Sequence, residues 1–156
     1  MFDEEIAAHG PRLYALCLRL CRNRWDADDL YQDTWYKALR AYKKYDSSRP
    51  FAAWLTTICV NTYRDQYRRK KWREWLHLDD AALERVAAPP DDPHAAVRQA
   101  VDALPEPLRL AVTLYYFAGC DVAQTAQALG VAEGTVKSRL ARARAKLKGV
   151  LQDDGG

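Results

Sequence analysis

The sequence predicts an all-α protein of two small helical domains joined by a flexible linker. Apolar residues recur every three to four positions through most of the chain, which is the spacing of amphipathic helices, and no stretch alternates convincingly as a strand would. Between residues 76 and 95 this periodicity is lost and three prolines appear, as is typical of a linker. A chain of 156 residues has room for two small domains, so we expect domains at 1–75 and 96–156.

The first domain is predicted to begin with two helices. Leu13, Leu16 and Leu20 share one face of the first helix. The second helix, over 26–45, has Asp26 as its expected N-cap, and its apolar residues on two sides place it in a core or against a partner. It also carries an acidic patch that consists of Asp28, Asp29, Gln32 and Asp33. Taken alone, this patch is explained by compensation of the helix dipole.

A third helix is predicted to follow the break at 46–50. It runs into a segment, 63–75, in which aromatic residues are interleaved with cations. Rings that stack on unpaired bases, beside cations that hold the backbone, are typical of proteins that bind single-stranded nucleic acid. The alternative is a small Trp-rich core with a solvated basic end. For Trp54 the residues alone do not decide between these two interpretations.

The second domain is predicted to begin with a helix over 96–104. Residues 105–107, Pro-Glu-Pro, then end that helix and start the next one, because proline is tolerated in a first turn. Gly119 is expected to end this second helix. The domain closes with a helical hairpin over 121–148, which is the most informative part of the sequence.

The hairpin reads as two helices joined by a tight turn. Asp121 and Gln124 form a capping-box pair at its start, and Gly130 tolerates the positive φ that such a turn commonly needs. The buried stripe of its second helix is predicted to be Val136, Leu140, Ala143 and Leu147. The opposite, outer face is predicted to be Gly134, Ser138, Ala141, Arg142 and Ala145.

This second helix therefore presents a slim outer face between basic flanks. Such a helix fits the major groove of DNA, with its cations close to the phosphates on either side. The pattern predicts a helix-turn-helix in which the second helix reads the DNA. The alternative interpretation is an ordinary amphipathic hairpin with a solvated basic face.

Charge is distributed unevenly along the chain. The net charge is only +3, but residues 1–75 carry 15 basic and 10 acidic groups, residues 76–95 carry one and five, and residues 96–156 carry eight and six. Two basic lobes around an acidic connector suit a nucleic-acid partner.

Several other classes of protein are disfavoured. No apolar run is long enough to span a membrane, and the acidic start does not resemble a signal peptide, so a cytoplasmic location is expected. The four cysteines and three histidines do not show the spacing of a zinc site. We therefore expect no metal and no cofactor, and interpret the cysteines as buried, reduced thiols, with a redox switch as the alternative.

Three segments of the chain together resemble a known family. They are DADDLYQDTWYKAL, FAAWLTTICVNTYRDQYRR, and LPEPLR with the stretch from YYFAGCDVAQTAQ to ARAKL. In this order and spacing they closely resemble bacterial sigma factors of the extracytoplasmic-function (ECF) group, which keep only regions 2 and 4. The resemblance covers nearly the whole chain. It implies a transcription initiation factor that binds core RNA polymerase and directs it to promoter DNA, without enzymatic activity.

The resemblance also assigns residues to three surfaces. A polymerase-binding surface, which docks on the clamp helices of the β′ subunit, is implied for Asp29, Gln32 and Asp33. A −10 surface is implied for Tyr45 and Asn61, which receive a flipped base, and for Trp54, which supports that region. Arg64 and Arg68 of the basic segment are predicted to belong to the same surface. A −35 surface on the reading helix is implied for Thr135, Lys137, Ser138, Arg139, Ala141 and Arg142. The β flap is a further expected contact of the polymerase, and the acidic linker resembles the segment threaded toward the RNA exit channel.

The chain departs from the family pattern at three positions. Ala132 stands where the reading helix usually has a better N-cap, Tyr115 replaces a basic residue, and Ala141 is smaller than many equivalents. No sensory domain follows region 4, so an anti-sigma factor is the expected regulator.

The sequence leaves two alternatives to a sigma factor. A stand-alone helix-turn-helix regulator would bind operators without polymerase, but it leaves the aromatic and basic first domain unexplained. An enzyme acting on nucleic acid has little support, because no paired carboxylates, metal-ligand spacing or nucleotide-binding loop are present. No small-molecule substrate is expected.

Overall fold

The computed structural model describes residues 2–21, 23–75 and 93–155, and within these ranges every regular element is helical. The prediction of an all-α protein is confirmed. The chain divides into two compact units, residues 1–86 and 87–156. The linker predicted over 76–95 lies mostly outside the described residues.

Unit 1 contains three long helices. They are α1 (Phe2–Leu20), α2 (Arg24–Ala41) and α3 (Phe51–Trp75), with a single 3₁₀ turn, Tyr42–Lys44, after α2. α2 packs against both α1 and α3, so its buried side contacts two neighbouring helices. The core is formed by apolar side chains from all three helices, among them Leu13, Leu16, Leu30, Leu55 and Val60.

An aromatic cluster closes one end of unit 1. The Phe2 ring makes edge contacts with Trp35, at 5.6 Å between centroids, and with Tyr42, at 5.2 Å. Phe51, at the start of α3, stacks against Trp35 at 6.4 Å. These contacts, each of the order of 1 kcal/mol beyond burial, fix the start of α3 and the loop before it.

The N-cap of α2 differs from the prediction. Asn23, not Asp26, caps the helix: its Oδ1 accepts a hydrogen bond from the Asp26 amide at 2.8 Å, and its Nδ2 donates to the Asp26 carboxylate at 3.0 Å. Both residue types are good caps, and their separation of three positions makes them reciprocal partners. The prediction of Asp26 as N-cap was therefore wrong, and the helix begins two residues earlier.

Two of the three thiols of unit 1 lie in its core. Cys17 and Cys59 are buried, and their Sγ atoms lie 3.9 Å apart between α1 and α3. The contact with Cys59, followed by burial, raises the pKa of Cys17 far above the usual thiol value. The expectation of buried thiols is met by Cys17, Cys59 and, in unit 2, Cys120, whereas Cys21 is only half-buried.

The described part of unit 2 contains four α-helices and one π turn. They are α4 (Ala95–Asp102), α5 (Glu106–Val112), the π turn Thr113–Phe117, α6 (Val122–Leu129) and α7 (Glu133–Gly155). α4, α5 and α6 each pack on α7. The start of α5 at Pro105–Pro107 agrees with the prediction from the sequence. The π turn was not predicted.

The two glycines at the helix ends have the conformation that a tight reversal needs. Gly119 follows the π turn with φ 77°, and Gly130 ends α6 with φ 70°, a region that other residues rarely occupy. The predicted capping box is present. The backbone N–H of Gln124 donates to the Asp121 carboxylate at 2.7 Å, and the backbone N–H of Asp121 donates to the side-chain oxygen of Gln124 at 3.0 Å. The helix-turn-helix geometry is thus fixed by local sequence.

Candidate polymerase and nucleic-acid surfaces

The outer face of α7 is formed as the sequence predicts. Val136, Leu140 and Ala143 are buried against the other helices of unit 2, and Leu147 is half-buried. The opposite positions are all exposed, namely Gly134, Ser138, Ala141, Arg142 and Ala145. The small side chains leave the backbone of α7 accessible along this face, as a helix entering a groove requires.

The six residues of the predicted −35 surface divide into two groups. Lys137, Ser138, Ala141 and Arg142 are exposed on the first turns of α7, while Thr135 and Arg139 are half-buried on one flank. At about 100° per residue, Ser138, Ala141 and Arg142 occupy the centre of the outer face. The structure therefore brings the six residues together on one helix, with three of them pointing most directly away from the core.

The first turn of α7 has no side-chain cap. The Ala132 carbonyl accepts hydrogen bonds from the amides of Thr135 at 3.0 Å and Val136 at 3.2 Å, so Ala132 occupies the N-cap position. Its methyl side chain cannot accept a hydrogen bond from the free amides of that turn.

In unit 1, the predicted −10 surface contains a stacked pair of rings. The centroids of Tyr45 and Trp54 are 4.8 Å apart and the ring planes meet at 29°. Tyr45 also makes an edge contact with Phe51 at 5.5 Å, which ties it to the aromatic cluster. Both Tyr45 and Trp54 are only half-buried, so the stack retains an accessible ring surface.

The loop that carries Tyr45 is held by its own hydrogen bonds. The hydroxyl and amide of Ser48 donate to the Asp46 carboxylate at 2.7 and 3.0 Å, and the Tyr45 hydroxyl donates to the Arg49 carbonyl. The bonds from Ser48 hold the pKa of Asp46 below its usual value. Burial, followed by the negative charge of Glu5, raises the pKa of Tyr45, so its hydroxyl remains a neutral donor.

The other predicted −10 residues share one side of α3 with Trp54. Asn61 follows Trp54 by seven positions and Arg68 follows Asn61 by seven, so the three align along the helix. Asn61 and Arg68 are exposed, and Arg64 is half-buried nearby on the same side. Stacked rings, an exposed amide and cations thus lie in succession along α3.

The predicted polymerase-binding residues are exposed on α2. Asp29, Gln32 and Asp33 all face away from the buried Leu30 and Thr34. The Asp33 carboxylate accepts a hydrogen bond from Gln66 of α3 at 3.0 Å.

Helix-dipole compensation does not account for this patch. α2 begins at Arg24, and Asp26 is the only acidic residue in its first turn. The dipole effect falls off within the first turn, and Asp29 and Asp33 lie beyond it. Their exposed charges therefore need another explanation.

Large apolar side chains surround the acidic residues of α2. Trp25 is 65% exposed, Tyr36 is 60% exposed and Leu39 is 55% exposed. Helical spacing places Trp25 and Tyr36 on the same side of α2 as Asp29, and Leu39 on the side of Gln32. Exposed aromatic residues beside polar groups are typical of protein-binding surfaces. Trp25 and Tyr36 were not singled out from the sequence, although helical spacing from Asp29 could have identified them.

One contact in unit 2 joins the π turn to α7. The Arg144 Nε–H donates to the Tyr116 hydroxyl at 2.6 Å, and the guanidinium carbon lies 5.6 Å from the centre of the Tyr116 ring. The sequence places Arg144 among the cations that flank the outer face of α7, near DNA phosphates, but it did not predict the contact with Tyr116.

The described residues show neither a metal site nor a membrane-spanning helix. No group of three His, Cys, Asp or Glu side chains within 2–21, 23–75 and 93–155 is placed to hold a metal ion. None of the helices in those ranges is long and apolar enough to cross a membrane.

One unit thus contains a helix-turn-helix, and the other exposes acidic and large apolar side chains on α2, a combination that suits a DNA-binding protein with a protein partner. Family models identify the two units: Sigma-70 region 2 matches residues 6–73, and Sigma-70, region 4 matches residues 94–147. The chain belongs to the ECF group of the sigma-70 family.

Relatives and solved structures agree with this assignment. The ECF RNA polymerase sigma factor SigM of Mycobacterium tuberculosis is 37% identical over 150 residues, which cover 96% of this chain and 76% of the relative. The sigma factor RpoE in complex with the anti-sigma factor NepR, from Bartonella quintana, has a TM-score of 0.84 and 32% identity, covering 97% of this chain and 96% of that chain.

A second solved structure, CnrH in complex with the cytosolic domain of CnrY, has a TM-score of 0.71 and 29% identity, with coverage of 98% and 88%. CnrH is a protein of Cupriavidus metallidurans.

Membership of this family gives the general function. The chain is a transcription initiation factor that directs RNA polymerase to promoters, and it is not an enzyme. The prediction of a sigma factor is confirmed, and the stand-alone regulator is not favoured.

Proposed function

We propose that three surfaces of this chain divide the work of promoter recognition. Asp29, Gln32 and Asp33 dock on the β′ clamp helices of core polymerase. The exposed outer face of α7 reads the −35 element, with Ser138, Ala141 and Arg142 at its centre and Thr135, Lys137 and Arg139 beside them. Unit 1 binds the −10 region through Tyr45, Trp54, Asn61, Arg64 and Arg68. The domain limits that we propose remain 1–75, 76–95 and 96–156.

The observation that carries this proposal is the stacked Tyr45–Trp54 pair, two helical turns from the exposed Asn61. Because the rings are half-exposed, an unpaired base can stack against them, while the Asn61 amide can donate to and accept from a base edge. A protein that binds only duplex DNA needs neither feature.

The partners follow from these surfaces. Trp25, Tyr36 and Leu39 extend the acidic patch into a face suited to a protein interface, and we assign it to the clamp helices. We also propose that unit 2 contacts the β flap. An anti-sigma factor is a further expected partner, since the sigma factor RpoE is found in complex with the anti-sigma factor NepR. Because core polymerase and promoters are cytoplasmic in bacteria, we place the protein there.

A run-off transcription assay tests the proposal. The full chain is added to sigma-free core polymerase from the same bacterium, with genomic DNA fragments as templates. We expect transcripts of defined length only when chain and core enzyme are both present. Specific binding of duplex DNA by the chain alone, without any transcript when core enzyme is added, would instead indicate a stand-alone regulator.

A further inference from the structure

Tyr116 lies outside the helix-turn-helix but contacts its second helix. It is exposed, yet its hydroxyl accepts a hydrogen bond from Arg144 Nε at 2.6 Å, and the Arg144 guanidinium approaches its ring. The two residues are separated by 28 positions. The contact therefore links the π turn to α7 at the surface of unit 2.

The π turn gives Tyr116 a fixed direction. Thr113 and Leu114 are buried, and their carbonyls accept hydrogen bonds from the amides of Ala118 at 2.9 Å and Cys120 at 3.0 Å. The turn is therefore anchored on its inner side. An edge contact with Tyr115, at 4.9 Å between centroids, supports the Tyr116 ring from the side. Single π turns within helices are frequently found at functional sites.

Arg144 belongs to a basic row along one flank of α7. Lys137, Arg144 and Lys148 follow one another at offsets of seven and four, so they share one side of the helix, beside the outer face. All three are exposed. This is the flank on which cations would lie close to a DNA strand if the outer face enters the major groove.

The hydrogen bond to Tyr116 uses only one of the five N–H donors of the guanidinium. The others stand in a planar fork that matches a phosphate group. A long side chain normally loses much conformational freedom when it binds, and this loss weakens the complex. A side chain that is already held in place loses less.

We propose that Tyr116 is a positioning residue for DNA binding, which holds Arg144 so that its remaining donors meet a backbone phosphate beside the reading helix. This inference rests on the proposed −35 role of α7.

The test measures binding of the full chain to a labelled duplex of mixed sequence over a series of salt concentrations. Phosphate contacts do not depend on sequence, so no promoter needs to be known. Tyr116→Phe removes the hydroxyl but keeps the ring and every charge. We expect it to weaken binding by about two- to tenfold, with an unchanged salt slope. Arg144→Ala should lower that slope by about one.

The double variant and a control separate positioning from a structural role. Because Tyr116 acts through Arg144, adding Tyr116→Phe to Arg144→Ala should cause no further loss of binding. Tyr115→Phe removes the neighbouring hydroxyl and should bind as the unsubstituted chain does. Thermal unfolding should be the same for all variants within a few degrees, about the shift that 1 kcal/mol produces.

Three results would overturn the inference. They are unchanged binding by Tyr116→Phe at every salt concentration, additive losses in the double variant, and an unchanged salt slope for Arg144→Ala. Failure of the unsubstituted chain to bind duplex DNA at the lowest salt concentration would also contradict the phosphate contact. None of these results bears on polymerase-dependent transcription, so the run-off assay tests the general proposal separately.

Discussion

Asn61 combines two properties that a base-reading residue needs. Its amide can both donate and accept hydrogen bonds, and it is exposed on the side of α3 that carries the Tyr45–Trp54 stack. A flipped base must recover a few kcal/mol of lost stacking and pairing. The rings can replace the stacking, and Asn61 can replace part of the pairing.

We therefore predict that Asn61→Ala forms a closed complex with core polymerase but opens the −10 region poorly. The loss of base-edge hydrogen bonds should cost about 1–3 kcal/mol at the opening step. Permanganate footprinting of unpaired thymines measures opening on a promoter found by run-off transcription. A template with mismatched −10 bases should restore much of the activity, because melting is then no longer required.

The matched control for this prediction is Asn61→Asp, which keeps the shape and the acceptors but loses the amide donors. Because its carboxylate also adds a negative charge beside the DNA backbone, it should open the −10 region no better than the alanine variant does. An equal loss of activity on duplex and pre-melted templates would contradict a role for Asn61 in melting.

At the level of single elements, α7 begins without a capping side chain, which one substitution could supply. Ala132 occupies the N-cap position with no side-chain acceptor. We predict that Ala132→Ser stabilises the first turn of α7 by about 1 kcal/mol. Hydrogen exchange of the amides at 133–136 should slow, and unit 2 should unfold at a higher temperature.

The same substitution inside α7 provides the control for this prediction. Ala145 is exposed in the helix interior, where serine is slightly less favourable than alanine. Ala145→Ser should therefore leave the first turn unchanged and lower the stability slightly. Equal exchange rates in Ala132→Ser and the unsubstituted chain would show that the first turn is held by other contacts.

The elements also show what the sequence can and cannot predict. The start and the turn of the hairpin were predictable to the residue, since the Asp121–Gln124 box and Gly130 act over three or four positions. Its end was not, because α7 continues past the predicted end at 148 to Gly155. The N-cap of α2 was missed because Asn23 and Asp26 both qualify locally, and only the folded geometry ranks them. The π turn was missed because its apolar residues fit an ordinary helix equally well, while its distinctive hydrogen bonds appear only in three dimensions.

The other features that the sequence did not predict are contacts between residues far apart in the chain. Tyr116 and Arg144 are 28 positions apart, and Gln66 and Asp33 are 33 apart. No local pattern pairs exposed polar residues at such distances, whereas buried stripes repeat within each helix. The fold and the faces of the helices were therefore predictable from periodicity, but the contacts that orient individual charges were not.

At the scale of the whole molecule, a sigma factor must bind polymerase and DNA through separate surfaces. Asp29 and Asp33 are exposed on α2, and their side chains contribute little to the core of unit 1. The hydrogen bond from Gln66 to Asp33 is also exposed, and such a bond adds only about 1 kcal/mol. Changing these two residues should thus affect one function without unfolding the protein.

We predict that the double charge reversal Asp29→Lys, Asp33→Lys abolishes binding to core polymerase. Two positive side chains would then replace the two negative ones that the proposed interface uses, and like charges across an interface repel. Pull-down on core enzyme measures the binding, and circular dichroism should show unchanged helicity. Binding of the free chain to mixed-sequence duplex DNA should persist or increase, since the variant gains positive charge.

The control variant carries the same change of charge elsewhere. Asp3 and Glu4 are exposed on α1, so Asp3→Lys, Glu4→Lys alters the net charge equally while leaving α2 intact. It should retain polymerase binding, apart from a small loss of stability from reversing charges in a first helical turn. If both double variants lost the polymerase equally, the effect would come from overall charge. If neither did, the acidic face of α2 would not be the docking surface, even though the family assignment would stand.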